Sequence, residues 1–297
     1  MKILLFGSTG QVGYELRTSL QPLGKLIFLD RSIVNFENAS DIKHCISNHN
    51  PEIIVNAAAY TSVDRAESEP KKAYDINASA VSVIAESAKK CDALLIHYST
   101  DYIFDGKKND AYKETDIPNP LSTYGKTKLL GDQAIQSSNC KHIIFRTSWV
   151  YSSRRSNFVK TILDLAKKQR ILKVVNDQVG SPTSAEMIAN ITFMCLYNIF
   201  NDKLLIKNIN GTYNLSSNNE VSWHGFAKYI VTLAQELGIS LLTKEEGILP
   251  IKTSEIKLIA KRPFNSKLNN DKVQKTFKVY LPTWQILIRR FMKEIYL

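Results

Sequence analysis

Tyr124 and Lys128 stand four residues apart in the segment STYGKTK (122–128). On a helix that spacing puts both side chains on one face. A phenol beside an ammonium is suited to moving a single proton. Phenol ordinarily keeps its proton up to pH ~10, and a neighbouring positive charge stabilises the phenolate and lowers that value. Reduction of a ketone calls for such a group, because hydride added to the carbon leaves an alkoxide that has to be protonated. A YxxxK pattern also arises by chance on solvated helix faces, so its partners decide. Upstream, HYSTDYIFDG (97–106) ends an apolar run with two hydroxyls, Ser99 and Thr100. Side chains alternate along a strand, so only one of the two can face a substrate. We take Thr100 as the donor to the carbonyl oxygen and Tyr124 as the general acid.

A hydride needs a carrier, and the first residues suggest one. In KILLFGSTGQVGYEL (2–16), an apolar strand runs into glycines at 7, 10 and 13. A strand–glycine turn–helix lets the backbone approach a pyrophosphate, whose charge is met by free N–H groups at the helix start. Asp30 closes the second apolar run, where a carboxylate meets an adenosine ribose hydroxyl. Arg31 follows it and would instead suit a 2′-phosphate, so both NADH and NADPH remain open. Glycine-rich turns also serve plain packing, but here the strand, helix and acidic residue stand at dinucleotide-binding positions. With such a cofactor in place, Lys128 is expected to tune Tyr124 and to hold the nicotinamide ribose.

These residues need a scaffold. Short apolar strands are expected at 2–6, 25–29, 52–57, 93–98 and 142–147, with helices near 12–21, 40–48, 70–90 and 122–137. Nearly all-apolar strands alternating with helices predict a Rossmann-type α/β fold, a doubly wound parallel sheet covered on both faces. Beyond residue 150 a helix at 156–169, a strand at 172–175 and helices near 184–200 and 223–237 continue more irregularly. The expected division is a dinucleotide-binding lobe of 1–150 plus about 171–200 and 222–238. A smaller, segment-swapped α/β substrate lobe takes about 151–170, 201–221 and 239–297.

Composition sets the limits. The chain has 297 residues, 44% hydrophobic and 23% charged, as in ordinary globular proteins. No apolar run reaches the ~18 residues of a membrane span, and no secretory leader is evident, so a cytoplasmic location without a membrane partner is expected. Four cysteines and five histidines are scattered without metal-ligand spacing. The net charge of +11 is diffuse. Its densest stretch, Lys252 to Lys278, lacks interleaved aromatics and any nucleic-acid motif, so no nucleic-acid partner is expected. It reads as a solvated face or as a potential drawing in an anionic, nucleotide-linked substrate.

The stretches GSTGQVG, VNAAAYTSVDRAE (55–67), HYSTDYIFDG, YGKTK, FRTSWVY (145–151), NDQVGSPT (176–183) and RPFNSKLN (262–269) resemble the dTDP-4-dehydrorhamnose reductases. These are extended short-chain dehydrogenase/reductases, and the resemblance spans nearly the whole chain. It implies NAD(P)H-dependent reduction of the 4-keto group of a dTDP-4-dehydro-sugar. It also implies cofactor contacts from Gly10, Gln11, Val12, Asp30, Asn35, Phe36, Ala59, Tyr60, Thr61 and Tyr98, besides Tyr124 and Lys128. Thr100, Asp101 and Trp149 would face the sugar nucleotide, although Trp149 following an apolar strand also suits a core position. Asn35-Phe36 stands where the family often has Asp-Phe. Some relatives hold magnesium between glutamates of a homodimer, which would map to Glu15, Glu186 and Glu294 in a structural role.

Three rivals share this pattern. A sugar-nucleotide epimerase has matching catalytic residues, and only the family-specific stretches around Trp149 and Gln178 favour a reductase over it. A sugar-nucleotide dehydratase would carry a second carboxylate after Asp101, where this chain has Tyr102. A non-catalytic regulatory subunit of the same fold would not need Thr100, Tyr124 and Lys128 together. The intact trio favours an enzyme.

Overall fold

The computed structural model describes residues 1–202 and 209–296. Six strands form the central sheet: β1 (Lys2–Phe6), β2 (Lys25–Leu29), β3 (Ile53–Asn56), β4 (Leu94–Thr100), β5 (His142–Thr147) and β6 (Gly211–Asn214). Their order is β6-β5-β4-β3-β1-β2 and every pairing is parallel. Parallel strands need crossovers, supplied by α1 (Gln11–Ser19), α2 (Ala39–His49), α3 (Ala80–Lys90), α4 (Thr123–Ser138) and α5 (Ala185–Asn201).

Alternation explains how one strand serves two cores. Ile3, Leu5, Ile53, Val55, Ile96, Ile143 and Phe145 pack with α1 and α5 through Leu16, Leu20, Ile188 and Leu196. Leu4, Phe6, Ile54, Leu95 and Ile144 face the other way, against Ile42, Ile46, Val81, Ile84 and Ile135 of α2, α3 and α4. With both faces covered, β1 to β3 are apolar at nearly every position and β4 and β5 over Leu94–Ile96 and Ile143–Phe145. A third cluster gathers Tyr151, Val159, Ile162, Phe226, Ile230, Trp284 and Phe291 around the helices Phe158–Ala166, Trp223–Glu236 and Trp284–Tyr296.

Three expectations change. The segments around 172–174 and 222–238, given above to the dinucleotide-binding lobe, pack instead in the third cluster through Leu172, Val174, Phe226 and Ile230. The stretch 201–221, given above to the substrate lobe, supplies β6, which pairs with β5 and buries Tyr213 in the sheet core. Val273, Phe277 and Leu281 join the same core, so part of 239–297 also packs on the sheet. Residues 203–208 and 297 of those ranges lie outside the described residues. The helix expected over 70–90 is divided into Pro70–Tyr74, a π-helical turn Asp75–Ser79 and α3. That turn exposes a carbonyl to close packing: a Cβ at Gly131 would lie 2.2 Å from the Asn77 oxygen. It also frees the Asn77 side chain, whose Oδ1 accepts from Tyr60 N (2.9 Å) and whose Nδ2 donates to Thr127 Oγ1 (3.2 Å). Wide turns of this kind often accompany functional sites.

Candidate active site

The three glycines do different work. Gly7 adopts φ +74 and a Cβ there would fall 2.5 Å from Ala58 N, so the left-handed conformation and the neighbouring chain both exclude a side chain. A Cβ at Gly13 would sit 2.0 Å from Gly7 O, so this glycine lets α1 press against the turn. Gly10 has more room: its nearest obstacle, Gly7 O, would lie at 3.3 Å. It caps α1 without a side-chain hydrogen bond and no acidic residue occupies the first turn. Unsatisfied N–H groups at an uncapped helix start fit a pyrophosphate, so the residues present suit a dinucleotide. The Gln11 side chain is turned elsewhere, its Oε1 accepting from Ser152 Oγ (3.2 Å) and Asn157 Nδ2 (3.4 Å). Val12 packs on the sheet core. Two arginines missed in the sequence frame this turn: Arg155 donates to Thr9 O (3.3 Å), and Arg154 lies over the Tyr14 ring at 4.0 Å.

At the end of β2, Asp30 Oδ1 accepts from Ser32 N (2.9 Å) and Ser32 Oγ (2.5 Å). These hydrogen bonds, the hydroxyl first, hold the carboxyl below its ordinary value, ionised and open to solvent. Arg31 and Asn35 are exposed. Phe36 meets Phe6 edge-on at 5.4 Å. After β3, Ala59 and Tyr60 are half-buried and Thr61 exposed; the Tyr60 hydroxyl donates to Glu69 Oε2 (2.6 Å).

Tyr124 is placed by the residues around it. Ser122 caps α4 by accepting from Gly125 N (3.2 Å), and Glu67 accepts from Thr123 N (2.8 Å) and Oγ1 (2.7 Å). A Cβ at Gly125 would lie 2.2 Å from Tyr102 O, so that glycine brings the helix start against the segment following β4. There the Thr100 hydroxyl donates to Asp101 Oδ1 and lies near enough to the Tyr124 phenol to influence it, while Ser99 Oγ turns away to Asp132 Oδ2 (2.7 Å). Burial raises the phenol's pKa, Thr100 tempers the rise, and the carboxylates of Asp101 and Asp132 add to it.

Asp101, 3% exposed, accepts from Thr100 through Oδ1 (3.1 Å) and its Oδ2 makes no hydrogen bond of normal geometry. Burial pushes it up to about 6, moderated first by the nearby Ser266 hydroxyl. Ser266 arrives on the 262–269 segment, whose Asn265 Nδ2 donates to Lys108 O (2.6 Å) and Asp110 O (2.8 Å).

Lys128 departs from expectation. Its nitrogen contacts Tyr98 O at 2.6 Å and His97 Nε2 at 3.0 Å, so its hydrogen bonds run to β4 and not to the Tyr124 phenol. Burial lowers it to about 8, and Asp132 opposes the shift. Tyr98 departs too. Its phenol meets Thr192 Oγ1 (2.8 Å) inside the sheet core, so only its main chain is available on the Lys128 side. His97, Asn56, Asp132 and Arg146 complete a buried polar network that motif reading passed over. One signal was present: a histidine inside the apolar run ALLIHY (93–98) must find partners.

Trp149 adopts φ 48, a conformation costly for a bulky residue. Its indole lies on Trp223, with centroids 3.4 Å apart and planes at 6°. Gly180 of NDQVGSPT makes the room, since a Cβ there would come within 2.6 Å of the ring. Trp149 remains half-buried, between a core position and a free one. Trp223 could not be foreseen, because nothing in sequence links it to position 149.

Glu15, Glu186 and Glu294 do converge. Burial and then the two other carboxylates raise Glu15. Arg290, however, lies 2.6 Å from Glu186 Oε1 and 2.8 Å from Glu294 Oε1. Among the described residues no group of three or more His, Cys, Asp or Glu is arranged to hold a metal. The expected magnesium trio does not fit an ion within one chain, because a guanidinium already bridges two of its members.

The parallel sheet, its glycine turn and the threonine–tyrosine pair at the same strand ends define the short-chain dehydrogenase/reductase type of nucleotide-binding fold. The family model described as "RmlD substrate binding domain" matches residues 1–297, and the chain belongs to that family. It is 43% identical over 300 residues to the dTDP-4-dehydrorhamnose reductase of Salmonella typhimurium, covering 100% of this chain and 98% of that protein. Among solved structures, a dTDP-4-dehydrorhamnose reductase from Clostridium acetobutylicum superposes with a TM-score of 0.89 at 32% identity, covering 100% of both chains. The Bacillus anthracis enzyme, solved in complex with NADP, gives 0.86 at 31%, covering 99% of both.

Proposed function

We propose that the chain reduces the 4-keto group of dTDP-4-dehydro-β-L-rhamnose to dTDP-β-L-rhamnose with NADPH or NADH, the last step in making that nucleotide sugar. The observation that carries this reading is the Thr100–Tyr124 hydroxyl pair at the end of β4, on the sheet edge where strand ends and the Gly10 turn meet. Ligands of open α/β sheets bind at that edge. The relatives' printed names, and the NADP in one of their structures, support the substrate and cofactor.

The reduced nicotinamide supplies the hydride when bound. This chain's residues do the rest. Gly10 and the α1 N-terminus hold the pyrophosphate, with Gly7 and Gly13 shaping the turn. Asp30, Arg31, Asn35, Phe36, Ala59, Tyr60 and Thr61 line the adenosine side. Thr100 donates to the ketone oxygen and Tyr124 gives its phenol proton to the same oxygen as the carbon is reduced. Lys128 is the nearby cation that answers the phenolate. Asp101 and Trp149 bind the sugar nucleotide. A cytoplasmic location is the accompanying reading, because reduced pyridine nucleotides and dTDP-sugars are held in the cytoplasm, and a homodimer is the assembly that the resemblance implies.

The test is direct. Purified protein with NADPH should lose nicotinamide absorbance when dTDP-4-keto-6-deoxyhexose is added, with dTDP-rhamnose as product. Tight NADPH binding without consumption would favour a regulatory, non-catalytic role.

A further inference from the structure

The contacts behind Lys128 have a direction. Ala58 N–H donates to Asn56 Oδ1 at 3.1 Å. A backbone N–H can only donate, so this bond fixes which end of the Asn56 amide is oxygen. Asn56 Nδ2 therefore faces His97 Nδ1, 3.1 Å away. An amide NH2 can only donate, so His97 Nδ1 has to be the bare, accepting nitrogen. His97 is fully buried, and burial, then the Lys128 charge, drive its pKa well below the ordinary value, so it carries a single proton. That proton must reside on Nε2. Nε2 in turn lies 3.0 Å from Lys128 Nζ, whereas Asp132 Oδ1, the other acceptor on that side, is at 4.0 Å.

We infer that Asn56 and His97 form a one-way hydrogen-bond chain that presents an N–H, not a lone pair, to Lys128 and so opposes protonation of its amine in the free protein. An ammonium in that place would set two donors against each other. A neutral amine accepts from His97 and donates to the Tyr98 carbonyl, 2.6 Å away, so each contact along the chain sets one donor against one acceptor. Asn56 and His97 are positioning residues, acting through Lys128.

Other charges bear on the same nitrogen. Asp132, one turn along α4, attracts a proton to Lys128, and Arg146 of β5 lies 3.6 Å from Asp132 Oδ2 and answers part of that charge. Tyr124 of α4 and Asp101 after β4 stand on the catalytic side. The π-helical turn contributes Asn77, while its Asp75 pairs outward with Lys71 at 2.5 Å. The low pKa of Lys128 agrees with the chain, since burial already disfavours the charge.

For the proposed reductase, on which this consequence alone rests, Lys128 becomes a lysine that exchanges its proton near neutral pH instead of holding it permanently. Loss of that proton would set the basic limb of kcat/KM.

Nitrogen-15 NMR of histidine-labelled whole protein without ligands tests the chain directly, with the His97 signals assigned by comparison with His97→Gln. The expected result is the Nε2–H tautomer of His97 across neutral pH. Asn56→Asp keeps the shape but offers a second acceptor, so it should switch His97 to Nδ1–H and let Nε2 accept from a protonated Lys128. The basic limb should then move up by about one pH unit, a tenfold change in proton affinity. A purely structural role would lower stability in Asn56→Asp and leave the limb in place. Should that variant fail to fold, the native protein still decides: Nδ1–H, or a doubly protonated ring, overturns the inference. The Nε2–H tautomer in a protein that turns over no keto sugar would count against the reductase reading and leave the chain standing.

Discussion

Trp149 and Trp223 lie face to face, 3.4 Å between ring centroids, with Trp149 held in a left-handed backbone conformation. The stacked pair joins the loop after β5 to the helix Trp223–Glu236, and so joins the sheet-end site to the second lobe. Trp223→Ala removes the surface on which Trp149 rests. Stacked aromatic pairs contribute about 0.5–1.5 kcal/mol beyond their buried area. If Trp149 presents itself to the sugar nucleotide, KM in the steady-state assay should rise roughly tenfold while kcat changes little. An unchanged KM would make Trp149 a core residue only.

Tyr124→Phe deletes the proton donor but keeps the ring that packs edge-on to Tyr102 at 5.6 Å. Turnover should fall by about 10²–10⁴-fold, the usual contribution of a positioned acid. NADPH affinity, read by fluorescence titration, should stay nearly constant. Near-native turnover would remove Tyr124 from its assigned role.

The glycines should separate folding from binding. Gly13→Ala forces a methyl group against Gly7 O, and overpacking of this kind costs about 1–3 kcal/mol, visible as a lower denaturation midpoint. Gly10→Ala needs only a small shift of Gly7 O. It should fold normally yet bind NADPH about tenfold more weakly, a loss of ~1.4 kcal/mol. Equal effects of both changes on stability would contradict this division.

Asp101 makes stability depend on pH in an unusual direction. Burial raises its folded pKa to about 6, above the unfolded value of 3.8. The native state therefore binds more protons between those values. Its contribution is fully present below the unfolded pKa and is lost as pH rises through about 6. The shift corresponds to roughly 3 kcal/mol. Asp101→Asn should flatten the pH dependence of urea unfolding between pH ~4 and ~6.5 and raise stability at pH ~7 relative to the native chain. A native profile without that slope would mean that the carboxyl is solvated.

Much of the scaffold is readable from sequence because β1 to β5 are aliphatic runs with no polar face to hide. β6 is not readable. GTYN is short and lacks an aliphatic run, and side chains from distant segments support it: Asn214 N donates to Glu114 Oε1 (2.8 Å) and Asn214 Nδ2 to Tyr112 O (2.8 Å). The Thr100–Tyr124 meeting follows from strand-end position and helical spacing. Side-chain direction does not follow, which is why Tyr98 was expected at the cofactor and lies instead against Thr192. A motif fixes a main-chain place, while packing on both sides decides where the ring goes. The Arg290 bridge among the glutamates likewise depends on the helix Trp284–Tyr296 docking beside α5, a long-range event with no local signature.

Because β6 follows the whole 151–202 excursion, β5 is left without its outer neighbour while the polypeptide emerges from the ribosome. A nascent chain halted before residue 211 would display a bare row of strand amides and carbonyls, an edge prone to pairing with other molecules. Excising residues 1–150 as a stand-alone nucleotide-binding module would make that temporary state permanent, and such a fragment is expected to precipitate.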